Sequence, residues 1–254
     1  ITYQGETLKR NTPYYWKVKV YTHTNETDWS EPASWSMGLL NEADWQGQWI
    51  GLDRPAPGDS ETQWSRLAAR YLRKEFALTK EVKRATVHIA GMGLYELFIN
   101  GQRIGEQVLA PAPTDYRKTI LYNTYDVTPQ LQKENAIGVI LGNGRFYTMR
   151  QNYKPYKIPT FGYPKLRLNL IVEYTDGSRQ TIASDISWKL TTEGPIRSNN
   201  EYDGEEYDAR KELGDWNRTG YDDTNWIPAG RVSIPSGTLR AQMMPGMKVT
   251  ESLK

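Results

Sequence analysis

The densest array of side chains able to bind or react is Asn199-Asn200-Glu201-Tyr202-Asp203-Gly204-Glu205-Glu206-Tyr207-Asp208-Ala209-Arg210. Carboxylates and carboxamides at this density suit a hard cation such as calcium, which takes about six to eight oxygen ligands. Asn199, Glu201, Asp203 and Gly204 fit the first, third, fifth and sixth positions of an EF-hand loop, but the twelfth is Arg210 where Glu is needed. An EF-hand is therefore excluded. An irregular calcium site held by Asn199, Asp203 and Glu205 stays open as one reading. A pair of glycosidase carboxylates drawn from Asp203, Glu205 and Asp208 is another. On an extended strand, residues i and i+2 share a face about 7 Å apart, the short edge of the separation for inverting hydrolysis. The plainest reading is a solvated acidic loop at the end of a β-sandwich.

The second array runs from Leu141 to Tyr153. Gly142-Asn143-Gly144 leaves the backbone open, and Arg145, Tyr147, Arg150 and Tyr153 follow. An arginine and aromatic loop after a strand suits a planar polar ligand or a partner surface. Packing of the loop on its own sandwich is the alternative. The glycines open no helix and lack a P-loop lysine, so this is no phosphate cradle.

Other chemistries can be set aside. The chain has two histidines, no cysteine and no G-x-S-x-G elbow, which leaves no basis for a nucleophilic triad or a zinc site. His88 falls at an alternating strand position and reads as structural. No residue of the chain is assigned a catalytic role.

Composition narrows the class. In 254 residues, 32 basic side chains face 30 acidic ones, and no block of like charge stands out. The electrostatic footprint of a nucleic-acid binder is missing. No run approaches the ~18 apolar residues of a membrane helix. Without cysteine there is no disulfide framework, which suits the cytoplasm and an export compartment equally. Nine Trp and 17 Tyr stand against only 4 Phe. Such rings suit either a strand-rich fold or a flat surface on which sugars stack.

The elements that must position these residues read as strands. Tyr14–Tyr21 alternates aromatic or aliphatic residues with Lys, as a half-buried strand does, and a second strand spans Ala33–Leu40. Pro55-Ala56-Pro57-Gly58-Asp59-Ser60 has loop chemistry. Strands are expected at Arg70–Leu78, Ala85–Ala90, Leu94–Ile99, Thr119–Val127, Ala136–Leu141, Lys165–Tyr174 and Ser187–Thr192. Asn100-Gly101 between apolar runs signals a hairpin, because both central positions of a type I′ turn need positive φ. Only Thr128–Glu134 suggests a helical turn. Regularly spaced strands without long helices give an all-β fold, an antiparallel sandwich or jelly roll.

Taken in order, these strings resemble one family. Residues 87–147 are similar to the N-terminal domain of bacterial α-L-rhamnosidases of glycoside hydrolase family 78. The matching pieces are Gly93-Leu94-Tyr95-Glu96-Leu97-Phe98-Ile99-Asn100-Gly101, Leu109-Ala110-Pro111, Thr114-Asp115-Tyr116, Tyr122-Asn123-Thr124-Tyr125-Asp126-Val127-Thr128 and Leu141-Gly142-Asn143-Gly144-Arg145. Tyr202–Arg210 and Trp216–Trp226 continue the resemblance. Residues 1–40 resemble the last strands of a fibronectin type III-like sandwich, the module that precedes this domain in such enzymes. One departure is Ala112-Pro113, where the family has Gly-Trp before Thr-Asp-Tyr.

The resemblance implies four segments: a partial fibronectin type III-like sandwich at 1–40, a linker at 41–64, a jelly-roll domain at 65–240, and at 241–254 the start of a connection to a downstream domain. It implies that the catalytic carboxylates of an enzyme acting by inversion lie in an α/α barrel, for which these residues show no pattern. The chain thus reads as a non-catalytic accessory piece of a longer enzyme, partnered by the missing catalytic domain and by a rhamnose-containing glycan or glycoside. Asp115, Tyr116, Asn143, Arg145, Tyr147, Asn200 and Asp203 are the candidate carbohydrate-binding residues. No cofactor is required by this reading, though calcium is a candidate, and a periplasmic or secreted location is favoured over a cytoplasmic one. The alternative is a purely structural scaffold that packs against the missing domain. A third reading has the piece itself hydrolysing rhamnosides through Asp203 and Glu205.

Overall fold

The computed structural model describes residues 3–54, 66–148 and 160–253. The Pro55–Ser60 loop, Arg150 and Tyr153 lie outside the described residues. The chain divides into two compact units, Ile1–Trp45 and Gln46–Lys254.

In the first unit β1 (Pro13–Trp16) pairs antiparallel with β2 (Ala33–Ser36), and the rings of Tyr14 and Trp35, opposite one another in the register, stack at 5.6 Å. Both strands are shorter than the alternation of Tyr14–Tyr21 and Ala33–Leu40 suggests. Nor are they half-buried: Tyr15 is 73% exposed, and Trp16, Val18 and Val20 are exposed with it. Two strands offer one face no opposing sheet, so alternation alone cannot bury it.

The second unit opens with β3 (Ile50–Gly51), β4 (Arg70–Ala77), β5 (Val82–Met92), β6 (Leu94–Ile99) and β7 (Gln102–Ile104). Then come β8 (Thr119–Asp126), β9 (Glu134–Gly142), β10 (Lys165–Tyr174), β11 (Arg179–Ala183) and β12 (Lys189–Thr191). The last five are β13 (Ile196–Asn200), β14 (Gly204–Tyr207), β15 (Ile227–Pro228), β16 (Gly230–Arg231) and β17 (Thr238–Ala241). One sheet is ordered β16-β3-β10-β5-β8-β17 with β11 added beside β10, and the other β15-β12-β4-β9-β6-β7. All pairings are antiparallel except β17 on β8. The protein is all-β, a two-stranded piece followed by an antiparallel sandwich. Residues 46–52, inside the segment expected as linker, are built into this sandwich through β3.

The core follows from strand periodicity. Leu166, Leu168, Leu170 and Val172 of β10 meet Val87 and Ile89 of the same sheet and Leu72, Ile137, Val139, Leu141, Leu97 and Ile99 of the other, all buried in one cluster. Each such side chain removed from water contributes about 1.5–3 kcal/mol. The Asn-Gly hairpin forms as its chemistry demands: Asn100 and Gly101 have φ of 51° and 81°, and β6 turns directly into β7. The helical turn expected at Thr128–Glu134 is a single 3-10 turn, Thr128–Gln130, opened by Pro129.

Part of the aromatic excess is structural. Trp216 and Trp226 stack at 6.1 Å and pack on Tyr71 and Phe98 at the outer face of the β4–β9–β6 sheet. Tyr95, Tyr122, Tyr174 and Trp188 are buried. His88 is fully buried beside the Thr124 hydroxyl, and burial pushes its imidazole down to about 4, so it is neutral. That is the structural role its strand position suggests.

Candidate functional site

A cavity of about 640 Å³ opens where the outer face of β6 and β9 meets three further segments. In β9 the inward positions are Ile137, Val139 and Leu141, which leaves Ile140 turned outward, level with Glu96 of β6. Leu94, Glu96 and Ile140 therefore form the floor, with Tyr95 at its edge. Leu109, Pro113 and Tyr116 form one wall, and Met247 closes it. The opposite wall is the β13–β14 hairpin and its turn, with Ile196, Asn199, Asn200, Glu201, Gly204 and Glu205. Gly142, Gly144 and Arg145, from the loop after β9, complete the rim.

The loop and hairpin are tied together. The Asn143 backbone N–H donates to Asn199 Oδ1 at 2.6 Å, and the Asn143 amide donates to the Leu67 carbonyl at 2.8 Å. Gly142 permits this approach, because a Cβ there would lie 2.6 Å from Asn199 Oδ1. Outside that contact Arg145 Nε reaches both Glu201 oxygens at 2.9 and 3.1 Å. The carboxylate beside it raises the guanidinium pKa. Tyr116 packs edge-on to Phe146 and Phe161, and its burial pushes the phenol up to about 12, a neutral hydroxyl at the cavity wall. Tyr95 donates to Asn123 Oδ1 at 2.7 Å behind the floor.

The seven expected carbohydrate contacts divide. Tyr116, Arg145 and Asn200 line the cavity. Asn200 does so while its Oδ1 caps the hairpin turn, accepting from the N–H groups of Tyr202 and Asp203 at 2.8 and 2.9 Å. Asn143 is 2% exposed and acts as the tie described above. Tyr147 is also buried, stacked on Tyr163 at 5.7 Å and packed on Leu67, because the turn that begins at Asn143 carries its ring inward. Asp115 stands outside the lining residues, held by Arg117, whose charge and hydrogen bond lower the carboxyl pKa. Asp203 also lies outside the lining, in the turn, where Asn200 Nδ2 approaches its carboxylate at 3.4 Å.

The acidic array does not behave as one group. Among the described residues no three His, Cys, Asp or Glu side chains gather to hold a metal. Of the three residues expected to hold calcium, Asn199 offers an oxygen already engaged by Asn143, Asp203 belongs to the turn, and Glu205 alone presents a carboxylate to the cavity. This donor set falls short of the six to eight oxygens calcium takes. The extended spacing assumed for Asp203 and Glu205 as a hydrolytic pair is lost too, since Asp203 precedes β14. Asp208 is held at about 2 by Arg210 and caps a 3-10 turn, the reverse of what a general acid needs.

Sequence reasoning missed Leu94, Glu96, Leu109, Ile140, Ile196 and Met247 as cavity residues, and named Glu201 without a role. A usable signal was present in β9, where Ile140 is apolar at a position whose neighbours in alternation face the core.

A two-sheet antiparallel sandwich with a mixed polar and apolar cavity on an outer face belongs to the jelly-roll-like class of β-sandwich modules. The chain belongs to the α-L-rhamnosidase N-terminal domain family, whose model matches residues 80–251. Residues 1–41 match the Rha78A-like N-terminal immunoglobulin domain. A protein named alpha-L-rhamnosidase from Formosa agariphila is 41% identical over 98% of this chain, which covers 28% of that relative. The solved alpha-L-rhamnosidase from Dictyoglumus thermophilum superposes at a TM-score of 0.85 with 40% identity, over 99% of this chain and 28% of that one. The native enzyme from Aspergillus terreus gives 0.80 and 35%, over 92% of this chain and 27% of its own. The chain thus spans somewhat more than a quarter of each of these relatives. Among the described residues no helix is long and apolar enough to cross a membrane.

Proposed function

We propose that this sandwich binds a rhamnose-containing glycan or glycoside in the cavity between β6–β9 and the β13–β14 hairpin, as a non-catalytic part of a longer α-L-rhamnosidase. The observation that carries this reading is the cavity itself. At about 640 Å³ it falls within the range of small-ligand sites, roughly 300–1,000 Å³. The aliphatic part of its floor, Leu94 and Ile140, and the neutral Tyr116 hydroxyl suit the two faces of a deoxy sugar, while Glu205 supplies polar atoms at the rim. The relatives named alpha-L-rhamnosidase support the choice of sugar. Hydrolysis of terminal α-L-rhamnosyl residues, with inversion, belongs in this reading to the remainder of the longer protein. A periplasmic or secreted location, where such glycans are met, goes with it.

Calorimetry of this chain with L-rhamnose, with and without calcium, tests the proposal. Saturable heat is expected. No heat under either condition overturns the reading. A nitrophenyl rhamnoside should be left intact by this chain.

A second reading, a scaffold that packs against the catalytic domain, is favoured by one observation. Ile234, Met243 and Leu253 are 83%, 90% and 88% exposed, an apolar series along the segment after β16. Exposed apolar surface of this kind marks interfaces. In the longer enzyme, Ile234→Ser with Met243→Ser should lower thermal stability while leaving rhamnose affinity unchanged.

A further inference from the structure

The charge on the cavity walls points to a selection among saccharides, and this inference rests on the sugar-binding reading above. Among the described residues, four ionisable side chains other than tyrosine line the cavity: Glu96, Arg145, Glu201 and Glu205. Glu201 is neutralised by Arg145 at 2.9 Å, and Glu96 by Arg103, 3.3 Å away and outside the lining. Among the described residues, the one cation in the lining is therefore already engaged. Glu205 forms no ion pair among the described residues, and it stands opposite Asn199 in the hairpin register. A carboxylate accepts hydroxyl protons readily. Glu205 lies on an exposed strand, so its charge acts on an anionic group brought near it chiefly at low ionic strength, where the screening length is about 30 Å at 0.01 M.

We infer that the cavity selects uncharged saccharides, and that Glu205 is the residue that turns away uronates and sulfate esters. A neutral sugar donates a hydroxyl to Glu205 and lays its apolar face on Leu94 and Ile140. A sulfated or carboxylated sugar in the same pose places like charges within a few ångströms.

The test compares L-rhamnose, rhamnose 3-sulfate and a glucuronosyl-rhamnose disaccharide, titrated into the whole chain at low and at high salt. At low salt the two anionic sugars should bind about fivefold to tenfold more weakly than rhamnose, and the difference should shrink at high salt. Glu205→Gln, on an exposed strand position, should narrow the difference at low salt even if it weakens rhamnose itself. Equal binding of neutral and anionic sugars overturns the selection and leaves the sugar-binding reading intact. A difference that survives both high salt and Glu205→Gln is steric, and overturns the role of Glu205. Heat from none of the three sugars overturns the sugar-binding reading and this inference with it.

Discussion

The backbone N–H of Asn143 donates to Oδ1 of Asn199, 56 residues away in sequence, at 2.6 Å. That bond joins the loop after β9 to the β13–β14 hairpin and so sets the width of the cavity between them. Two residues expected to touch ligand or metal are thereby spent on holding the site open. Replacing Asn199 by Ala leaves a part-buried donor without its acceptor, at a cost of about 1–3 kcal/mol. Urea unfolding should show this as a lower midpoint, with rhamnose affinity falling in parallel; an unchanged midpoint would refute the tie.

Gly142 should tolerate no side chain. A methyl group at this position meets Asn199 Oδ1 at 2.6 Å, and the oxygen cannot retreat without releasing Asn143. Gly142→Ala is expected to destabilise by about 1–3 kcal/mol, as overpacking does. Combined with Asn199→Ala, which removes the obstacle, the loss should be less than additive.

Arg145 and Tyr147, neighbours in the same loop, should part company. Tyr147→Ala empties a buried, stacked position and should cost about 3–5 kcal/mol. Arg145, whose side chain is 53% exposed, should cost no more than about 1 kcal/mol when replaced by Ala, the range of an exposed ion pair. Its loss should appear instead in sugar affinity. Thermal unfolding of the two variants side by side decides this.

His88 makes stability depend on pH. Its folded pKa, about 4, lies below the ordinary 6.5 because burial disfavours the cation. Above pH 6.5 both states are neutral and no penalty exists. As pH falls from 6.5 toward 4 the unfolded chain takes up a proton that the folded chain refuses, so stability drops, by roughly 3 kcal/mol in all. Below about 4 the loss is complete. The stability difference between pH 7 and pH 4.5 should be smaller in His88→Asn than in the parent chain. An imidazole titrating near 6.5 in the folded protein, read by NMR, would contradict the assignment.

Local chemistry was legible wherever neighbours in sequence decide it. Lys165–Tyr174 is a strand with the expected ends, because Leu166, Leu168, Leu170, Val172 and Tyr174 keep one face apolar throughout and both flanks carry turn residues. The Asn100-Gly101 turn needed only its own two dihedral angles. In the first unit only the burial and the length of the two strands differ from expectation, because the same alternation appears whether or not a second sheet covers it. In the candidate site, Tyr116, Arg145 and Asn200 were recognisable by type and lie where a ligand could meet them. Asn143 and Tyr147 have the same chemical types and turn inward.

The sequence by itself determined the all-β class, the longer strands, the Asn100-Gly101 hairpin turn and the family, since periodicity and turn chemistry act over a few residues. It also confined the polar chemistry to two segments, the loop after β9 and the β13–β14 hairpin. Only the tertiary structure decided which side chains of those segments face the cavity. That choice depends on a hydrogen bond between residues 143 and 199 and on which face of β6 and β9 is left uncovered. Both are set by the pairing of distant strands, where a single step of register or rotation exchanges a wall residue for a core one.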